Sequence, residues 1–371
     1  MTQKKQVVIL PIEPLSTRYT AQWHEFFPKQ LQSYLGEDFQ ILQIDGELTA
    51  AKPTPGAFLD FAATNIWKST QLAKLMKKIQ DGKIRPGAYI LVTDAWNPAI
   101  LQIRYTSDLM NLGLRIGAIW HAGSYDPNDF LGRASGGKLW AQHTERAIFH
   151  ACDHNFFATH AHIDLFIDTY TIQKSEIGEP PAEIVRTGFP FEYFEQEFIP
   201  YRDLEKRELI LFPHRIAPEK QLHVFKALAE RMPEYDWIVC QEQELTKDEY
   251  HTLLGQSRIV FSANLQETLG ISMMEALMCN SFPLMPERLS YPEMYDDKFL
   301  YPSEWADSNN ANLNRLEEHI KILMFAWEKE STTLLIDIAE QREKIKKQFL
   351  TAGALHNKIR ECINTSPSFK E

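Results

Sequence analysis

The chain has 371 residues, of which 44% are hydrophobic and 24% charged, so it can bury sizeable cores and its length favours two domains. Its formal net charge of -11 argues against a surface coated for non-specific binding of nucleic acid. The four cysteines are scattered without a Cys-x-x-Cys pair, and no stretch approaches the roughly 20 apolar residues of a membrane-spanning helix, so we expect free buried thiols and a soluble protein that stays inside the cell.

Short apolar runs of strand length alternate along the chain with stretches of helical spacing. The first half contains five of these runs, at residues 7–10, 39–42, 88–92, 116–120 and 155–158. A second series follows a charged segment and comprises residues 209–212, 237–240 and 259–261. Such runs are typical of buried parallel strands, so we predict an α/β protein with two doubly wound domains.

We place the domain boundaries where this alternation is interrupted. The predicted parts are an N-terminal domain at 1–195, a linker at 196–207, a C-terminal domain at 208–340, and a final helix within 341–371 that packs back toward the N-terminal domain. Residues 1–150 hold 16 Lys and Arg against 13 Asp and Glu, a slight positive balance that favours an anionic partner for the first domain. We expect the polar tail after Ser366 to be loose.

Two basic residues, Arg215 and Lys220, follow the first predicted strand of the second domain. Ligands of doubly wound sheets bind at the carboxyl ends of the strands, so both residues are well placed to neutralise a diphosphate. The alternative interpretation is that they are solvated surface cations, the commoner fate of a single Arg or Lys.

Two glutamates lie in and after the turn that follows residues 259–261. Glu267 precedes the helix predicted to begin near Gly270, and Glu275 lies one to two turns inside it. A strand, a glycine-containing turn and a helix N-terminus form an anion site, and each carboxylate can accept hydroxyl hydrogen bonds from the sugars attached to a diphosphate. The alternative is that both glutamates share the wet face of one amphipathic helix.

The segments "RIAPEK" and "SANLQETLGISMMEAL" together resemble the donor site of retaining GT-B glycosyltransferases, particularly glycosyltransferase family 4. That resemblance implies two Rossmann-like domains facing each other across a cleft. It also implies that Arg215 and Lys220 bind the diphosphate and that Glu275 binds the ribose hydroxyls. The donor sugar would be held by Glu267 and the loop that follows it, which comprises Thr268, Leu269, Gly270 and Ile271.

The resemblance extends into the first half through "AIWHAGSYD", "ACDHNFFATHAHIDLF" and "IVRTGFPFEYF". It implies that His121 lies beside the transferred sugar; the alternative is a packed histidine at a strand end. The context of four neighbouring histidines suggests a structural role more than metal binding. These are His150, His154, His160 and His162.

Two departures from the family pattern bear on the acceptor. The segment "CNSFPLMPERLSYPEMY" resembles the branch that mannosylates queuosine in transfer RNA. The segment "PIEPLSTRYTAQW" lacks a glycine-rich loop and resembles bacteriophage glycosyltransferases of modified DNA bases. Its hydrogen-bonding and stacking side chains are Ser16, Thr17, Arg18, Tyr19, Gln22 and Trp23.

The sequence therefore predicts a retaining glycosyltransferase, with His121, Arg215, Lys220 and Glu267 as catalytic residues. We expect it to move a hexose or pentose from a UDP-sugar to hydroxymethylcytosine in phage DNA, or less favourably to transfer RNA, with no metal, no cofactor and no membrane partner.

The predicted acceptor residues are Arg18, Tyr19, Trp23 and Trp96, and the other tryptophans considered for base stacking are Trp67, Trp120 and Trp140. The alternatives are a glycan, lipid or small-molecule acceptor, and a nucleotide-sugar-binding protein without turnover. A dinucleotide-dependent oxidoreductase is disfavoured because residues 11–15 lack a glycine-rich fingerprint.

Overall fold

The computed structural model describes residues 4–15, 18–49, 60–173, 182–307 and 310–365. The chain divides into two compact units, one formed by Met1–Pro190 with Ala352–Glu371 and the other by Phe191–Thr351. The division falls at Pro190 and not within 196–207, because the helix at Phe194–Arg202 packs inside the second unit, where Arg202 Nε donates to the Met278 carbonyl at 3.1 Å. The predicted tail after Ser366 lies outside the described residues.

The first unit contains a six-stranded parallel sheet in the order β2-β1-β3-β4-β5-β6. Its strands are β1 Lys5–Leu10, β2 Phe39–Gln43, β3 Tyr89–Val92, β4 Arg115–Trp120, β5 His154–Phe157 and β6 Glu183–Arg186. Its helices are α1 Tyr19–Leu35, α2 Phe61–Gln80, α3 Ala99–Leu109, α4 Phe130–Ser135, α5 Leu139–Ala151, α6 His160–Tyr170 and, from the far end of the chain, α14 Gly353–Thr365.

The second unit contains a five-stranded parallel sheet in the order β11-β10-β9-β7-β8. Its strands are β7 Arg207–Phe212, β8 Asp236–Val239, β9 Ser257–Phe261, β10 Phe282–Pro286 and β11 Leu300–Tyr301. Its helices are α7 Phe194–Arg202, α8 Leu222–Arg231, α9 Lys247–Gln256, α10 Ile271–Met278, α11 Tyr291–Met294, α12 Asn310–Lys329 and α13 Ser331–Gln348.

All eight strands predicted from apolar runs are confirmed, within one or two residues at each end. The central strands are buried on both faces, as parallel sheets require, so the apolar run alone identified them. Three strands were not predicted. β6 is half-buried at the sheet edge, β11 has two residues, and β10 carries Pro283 and Pro286, which lack the amide hydrogens of a normal strand.

Each sheet has one position where the chain reverses its direction of winding. In the first unit β1 lies between β2 and β3, and in the second unit β7 lies between β8 and β9. The loops that leave two neighbouring strands in opposite directions open a crevice at the carboxyl edge of the sheet. Ligands are therefore expected at the loops after β1 and β3 in the first unit, and after β7 and β9 in the second.

The state of the thiols matches one expectation from the composition. The four cysteines form no disulfide; Cys152, Cys240 and Cys279 are buried and Cys362 is partly buried. No helix in the described part of the chain combines the length and the apolar character needed to cross a membrane.

Candidate functional site

In the second unit, the loops after β7 and β9 are bonded directly to each other. Lys220 Nζ donates to the Gln266 carbonyl at 2.7 Å and lies 3.2 Å from Glu267 Oε2. The Leu265 amide donates to the Glu219 carbonyl at 2.8 Å. Because β7 and β9 are adjacent in the sheet, the sequence-predicted Lys220 and Glu267 meet at the reversal point although 46 residues separate them.

Glu267 is held as a carboxylate by its neighbours. Burial alone would raise its pKa, but the Lys220 ammonium and nearby hydrogen-bond donors hold that pKa below its ordinary value. Asn264, which is fully buried, directs Nδ2 toward both Glu267 Oε2 at 3.4 Å and the Tyr291 hydroxyl at 3.2 Å. The side chain of Glu267 is therefore oriented from two sides before any ligand binds.

Gly270 ends this loop and begins α10. Its backbone is left-handed, with φ at 72°, and a Cβ atom placed there would lie 2.9 Å from the Tyr291 ring. Both the dihedral angle and the close approach require glycine. The first amides of α10, from Ile271 onward, belong to a helix N-terminus, where backbone N–H groups and the helix dipole favour an anion.

The loop after β7 contributes four polar side chains to the same region. Arg215 forms an ion pair with Glu219, which is buried, and Lys220 is only 6% exposed. His214 Nδ1 lies 3.4 Å from the hydroxyl of Ser272 in the first turn of α10. Burial lowers the pKa of His214 to about 3, so its imidazole is neutral at physiological pH.

Glu275 lies inside α10, on the side that faces α9. The Tyr250 hydroxyl donates to Glu275 Oε2 at 2.6 Å. Burial raises the pKa of Glu275 to about 7, and the Tyr250 hydrogen bond opposes that shift only in part. The carboxyl group of Glu275 is therefore only partly ionised near pH 7, whereas that of Glu267 is ionised.

Several residues that support the loops after β7 and β9, or the side chain of Glu275, were not identified from the sequence. Arg288 donates from Nε to the Asn264 carbonyl and from Nη2 to the Ala263 carbonyl, both at 2.7 Å, and so fastens the loop after β9. Tyr250, Asn264 and Tyr291 were missed as well. Asn264 lies three residues before Glu267 and could have been suspected from its place directly after a strand, but nothing local indicates the other three.

In the first unit, His121 lies where β4 ends. Its Nε2 is 2.6 Å from the Thr93 carbonyl, which only accepts, so Nε2 carries the proton and Nδ1 is left as an acceptor toward the Tyr19 hydroxyl at 3.4 Å. Burial lowers the pKa of His121, with partial opposition from Asp94. The structure thus presents a neutral imidazole with a defined tautomer.

A buried polar cluster occupies the reversal point of the same sheet. Lys68 Nζ, on α2, lies 2.8 Å from Asp94 Oδ2 and donates to the Trp96 carbonyl at 2.6 Å. Burial alone would raise the pKa of Asp94, but Lys68 holds it below its ordinary value. Burial raises the pKa of Glu13, which follows β1 and neighbours Lys68. Neither Lys68, Asp94 nor Glu13 was identified from the sequence.

Among the predicted acceptor residues, Tyr19 and Trp23 lie beside His121, and the four residues differ in accessibility. Tyr19 is partly buried beside Arg18, whose guanidinium lies 5.7 Å from the Tyr19 ring centroid. Trp96 is also partly buried and donates from Nε1 to Glu145 Oε1 at 2.8 Å. The ring of Trp23 is 2% exposed, so it supports the neighbouring rings and presents no stacking face. Ser16 and Thr17 lie outside the described residues.

Four other candidates in the first unit have structural partners. Trp67 donates to the Pro11 carbonyl and Trp120 donates to Asn155 Oδ1, each at 2.9 Å, and both rings are buried. Two of the four neighbouring histidines bond to buried tyrosines: His154 to Tyr89, and His162 to Tyr125. Within the described ranges, no three His, Cys, Asp or Glu side chains cluster closely enough to hold a metal ion.

The two units offer different chemistry. The second unit combines cations, a helix N-terminus and two carboxylates of different pKa, a set that can bind a diphosphate carrying hydroxylated sugars. The first unit offers a neutral imidazole and, around Lys68, the buried carboxyl of Glu13 and the partly buried carboxylate of Asp94, a set suited to hydroxyl groups.

Comparison with known proteins gives one partial sequence match. No protein-family model matches the chain. Over 84 residues the chain is 31% identical to the tRNA-queuosine alpha-mannosyltransferase of Drosophila melanogaster, a match that covers 23% of this chain and 20% of that protein. The chain therefore matches about a fifth of its curated relative's length.

Solved structures match nearly the whole chain. Sucrose-phosphate synthase from Thermosynechococcus elongatus is 12% identical with a TM-score of 0.62, and the alignment covers 98% of this chain and 100% of that one. The catalytic domain of starch synthase IV from Arabidopsis thaliana, solved with ADP and acarbose, is 12% identical with a TM-score of 0.58 and coverage of 98% and 99%. Anabaena HepE, solved with UDP, is 11% identical with a TM-score of 0.55 and coverage of 98% and 100%. With its two parallel sheets and alternating helices, the chain has the α/β fold of the GT-B glycosyltransferases.

Proposed function

We propose that this protein is a retaining glycosyltransferase that transfers a sugar from a UDP-sugar to a hydroxyl group on a modified nucleobase. The observation that carries the proposal is the contact between Lys220 and Glu267, which joins the two loops at the reversal point of the second sheet. Lys220 directs two of its three N–H donors at Gln266 and Glu267, which leaves one for a phosphate oxygen.

The proposed donor site assigns one part of the ligand to each element. The diphosphate lies against Lys220, Arg215 and the N-terminus of α10, where positive charge is concentrated. Glu267 accepts hydroxyl hydrogen bonds from the sugar, and Glu275 accepts those of the ribose. UDP is the proposed nucleotide because HepE was solved with UDP and because the resemblance favours it.

The proposed reaction is a front-face substitution. The acceptor oxygen forms a bond to the anomeric carbon on the side from which the diphosphate leaves, and the bond from that carbon to the diphosphate oxygen breaks. The acceptor proton passes to the departing diphosphate, so configuration is retained and no covalent glycosyl-enzyme forms. Lys220 and Arg215 stabilise the negative charge that develops on the diphosphate, so the proposal requires no metal ion.

The proposed acceptor is hydroxymethylcytosine in DNA. Support comes from the resemblance of the segment "PIEPLSTRYTAQW" to bacteriophage glycosyltransferases of modified DNA bases. Transfer RNA is the second candidate, favoured by the partial match to a tRNA-queuosine mannosyltransferase. Both acceptors present a hydroxyl group attached to a nucleobase.

The test offers a panel of UDP-sugars with hydroxymethylcytosine DNA, unmodified DNA, transfer RNA, and simple glycan and lipid acceptors. Release of UDP measures donor turnover, and digestion to nucleosides followed by mass spectrometry identifies a nucleoside that has gained a sugar. Lys220→Ala is expected to lower turnover about 100- to 1,000-fold, equivalent to about 2.7–4 kcal/mol per preorganised donor. Lys226→Ala is the matched control, because Lys226 lies exposed on α8 and pairs with Glu242.

The outcomes separate the parts of the proposal. Sugar gained by a glycan or lipid and by no nucleoside would refute the nucleobase acceptor and leave the glycosyltransferase proposal standing. Binding of nucleotide-sugar without turnover on any acceptor would indicate a non-catalytic binding protein. Equal turnover in the Lys220 and Lys226 variants would refute the assignment of Lys220 to the donor site.

A further inference from the structure

Trp140 stands apart from the other tryptophans of the chain. The structure describes all eight tryptophans, and Trp140, with 57% of its surface exposed, is the one among them that stands well out into solvent. Its neighbour Leu139 is 69% exposed. Large apolar side chains that are adjacent and exposed commonly mark an interaction site.

The packing of α5 explains why these two side chains point outward. Ala141, Glu145 and Ile148 form the buried stripe of the helix, and Trp140 lies outside that stripe. The helix entry is fixed by Gly136, where a Cβ atom would lie 2.6 Å from the Ser124 carbonyl. The outward position of Trp140 therefore follows from a well-packed helix.

Trp140 lies at the ligand-binding edge of the first unit's sheet. Helix α5 connects β4 to β5, which are parallel neighbours, so its first residues lie at the carboxyl edge, where the loop carrying His121 also lies. The helix is bonded to that edge through Glu145 Oε1, which accepts from Ser124 N at 2.7 Å and from Trp96 Nε1 at 2.8 Å. Trp140 thus belongs to the same edge as the buried polar cluster around Lys68.

The exposed charged side chains near Trp140 in the sequence are basic. Arg133 and Lys138 are exposed, whereas both acidic residues between 127 and 147, Asp129 and Glu145, are buried. The ammonium of Lys138 contacts only the Ala134 carbonyl among the described residues, at 2.9 Å. This local surface is complementary to a polyanion although the whole chain is acidic.

A lipid surface fits these observations less well than a nucleic acid. A helix that lies in a membrane interface needs an apolar face over several turns. Beyond Trp140, the outer face of α5 carries His143, Thr144 and Ala147, so the exposed apolar surface ends within the first turn. One exposed indole preceded in the sequence by two exposed cations instead matches a single base with its neighbouring phosphates.

We infer that Trp140, Arg133 and Lys138 form a contact surface for the acceptor strand, with the indole stacked on a base near the modified one and the cations against its phosphates. The inference rests on the proposed nucleic-acid acceptor and adds the surface that distinguishes a strand from a free nucleoside. It transfers the stacking role from Trp23, which is buried, to Trp140.

The test measures binding of a fluorescently labelled single-stranded oligonucleotide containing hydroxymethylcytosine, by anisotropy, to the full chain and its variants. Trp140→Ala is expected to bind about 5- to 100-fold more weakly, the usual effect of losing one stacked base. Trp140→Phe is expected to retain most of the affinity. Tyr105→Ala, which removes an aromatic ring 67% exposed on α3, is the matched control and is expected to bind normally. Lys138→Gln is expected to reduce the slope of the logarithm of the binding constant against the logarithm of the salt concentration by about 0.7.

Two further measurements, binding to anionic phospholipid vesicles and turnover of UDP-sugar on each acceptor, distinguish the possible results. Equal binding by the Trp140→Ala and Tyr105→Ala variants overturns the inference even if the protein glycosylates DNA. Loss of binding to anionic phospholipid vesicles in Trp140→Ala, with oligonucleotide binding unchanged, overturns it in favour of a lipid surface. An oligonucleotide affinity that depends on Trp140, in a protein that turns over UDP-sugar only on glycans or lipids, supports the surface and refutes the proposed acceptor.

Discussion

Lowering the pH from 8 to 6 is expected to weaken the binding of UDP-glucose about tenfold, through protonation of Glu275. Burial raises the pKa of this carboxyl to about 7, and the Tyr250 hydroxyl already occupies Oε2 at 2.6 Å. Ribose hydroxyl groups donate hydrogen bonds, so they bind the carboxylate better than the acid, which has lost an acceptor position.

The magnitude follows from the ionised fraction. With a pKa of about 7, Glu275 is about ten-elevenths ionised at pH 8 and about one-eleventh ionised at pH 6. If the carboxylate is the form that binds ribose, the apparent dissociation constant increases by the ratio of these fractions. UDP-glucose is the appropriate probe because its diphosphate is esterified at both ends and does not titrate in this range.

Calorimetric titration at pH 6, 7 and 8 measures this effect, with Glu275→Gln as the control. A second group near α10 also titrates here: burial lowers the pKa of Lys206 to about 7. Lys206 contacts the Cys279 carbonyl at the C-terminal end of α10, and its titration persists in the Glu275→Gln variant. Equal pH dependence in the wild-type protein and this variant would refute the role of Glu275.

Three other predictions test the framework of the site. Gly270→Ala is expected to lower the free energy of unfolding by about 1–3 kcal/mol and to weaken UDP-glucose binding, because φ at this position is 72° and the new Cβ atom meets the Tyr291 ring. An unchanged urea midpoint and an unchanged affinity for UDP-glucose would contradict this prediction. Lys206→Met is expected to cost about 1–3 kcal/mol in a urea titration because it leaves buried acceptors, including the Cys279 carbonyl, without their donor. Burial lowers the pKa of His162 to about 3, so below pH 6.5 the unfolded chain binds a proton that the folded chain does not. The free energy of unfolding is therefore highest above pH 6.5 and falls as the pH decreases. His162→Phe is expected to flatten this decrease, measured as the urea midpoint between pH 6.5 and 4.5.

The sequence by itself determined eight strands and the two motifs that follow β7 and β9, because both depend on local patterns. A strand buried on both faces must be apolar along its length, so eight strands could be located from composition within short windows. The turn with Glu267 and Gly270 was equally local, since a strand, a glycine and a helix start follow one another within ten residues.

Only the tertiary structure decided which distant side chains meet. Lys68 reaches Asp94, and Tyr250 reaches Glu275, because of the strand order and the packing of helices on each sheet, which an alternation of strands and helices does not specify.

Burial was decided in the same way. Trp23 and Trp140 are the same residue type in the same unit, yet one is packed beneath His121 and the other is exposed on α5. Composition cannot distinguish them, because the face of a helix that turns inward is fixed by what packs against it. The same packing desolvates Glu275 beside Tyr250, which raises its pKa. It places Glu267 in an ion pair with Lys220, which lowers the pKa of Glu267. Two glutamates that look alike in the sequence therefore acquire pKa values shifted in opposite directions.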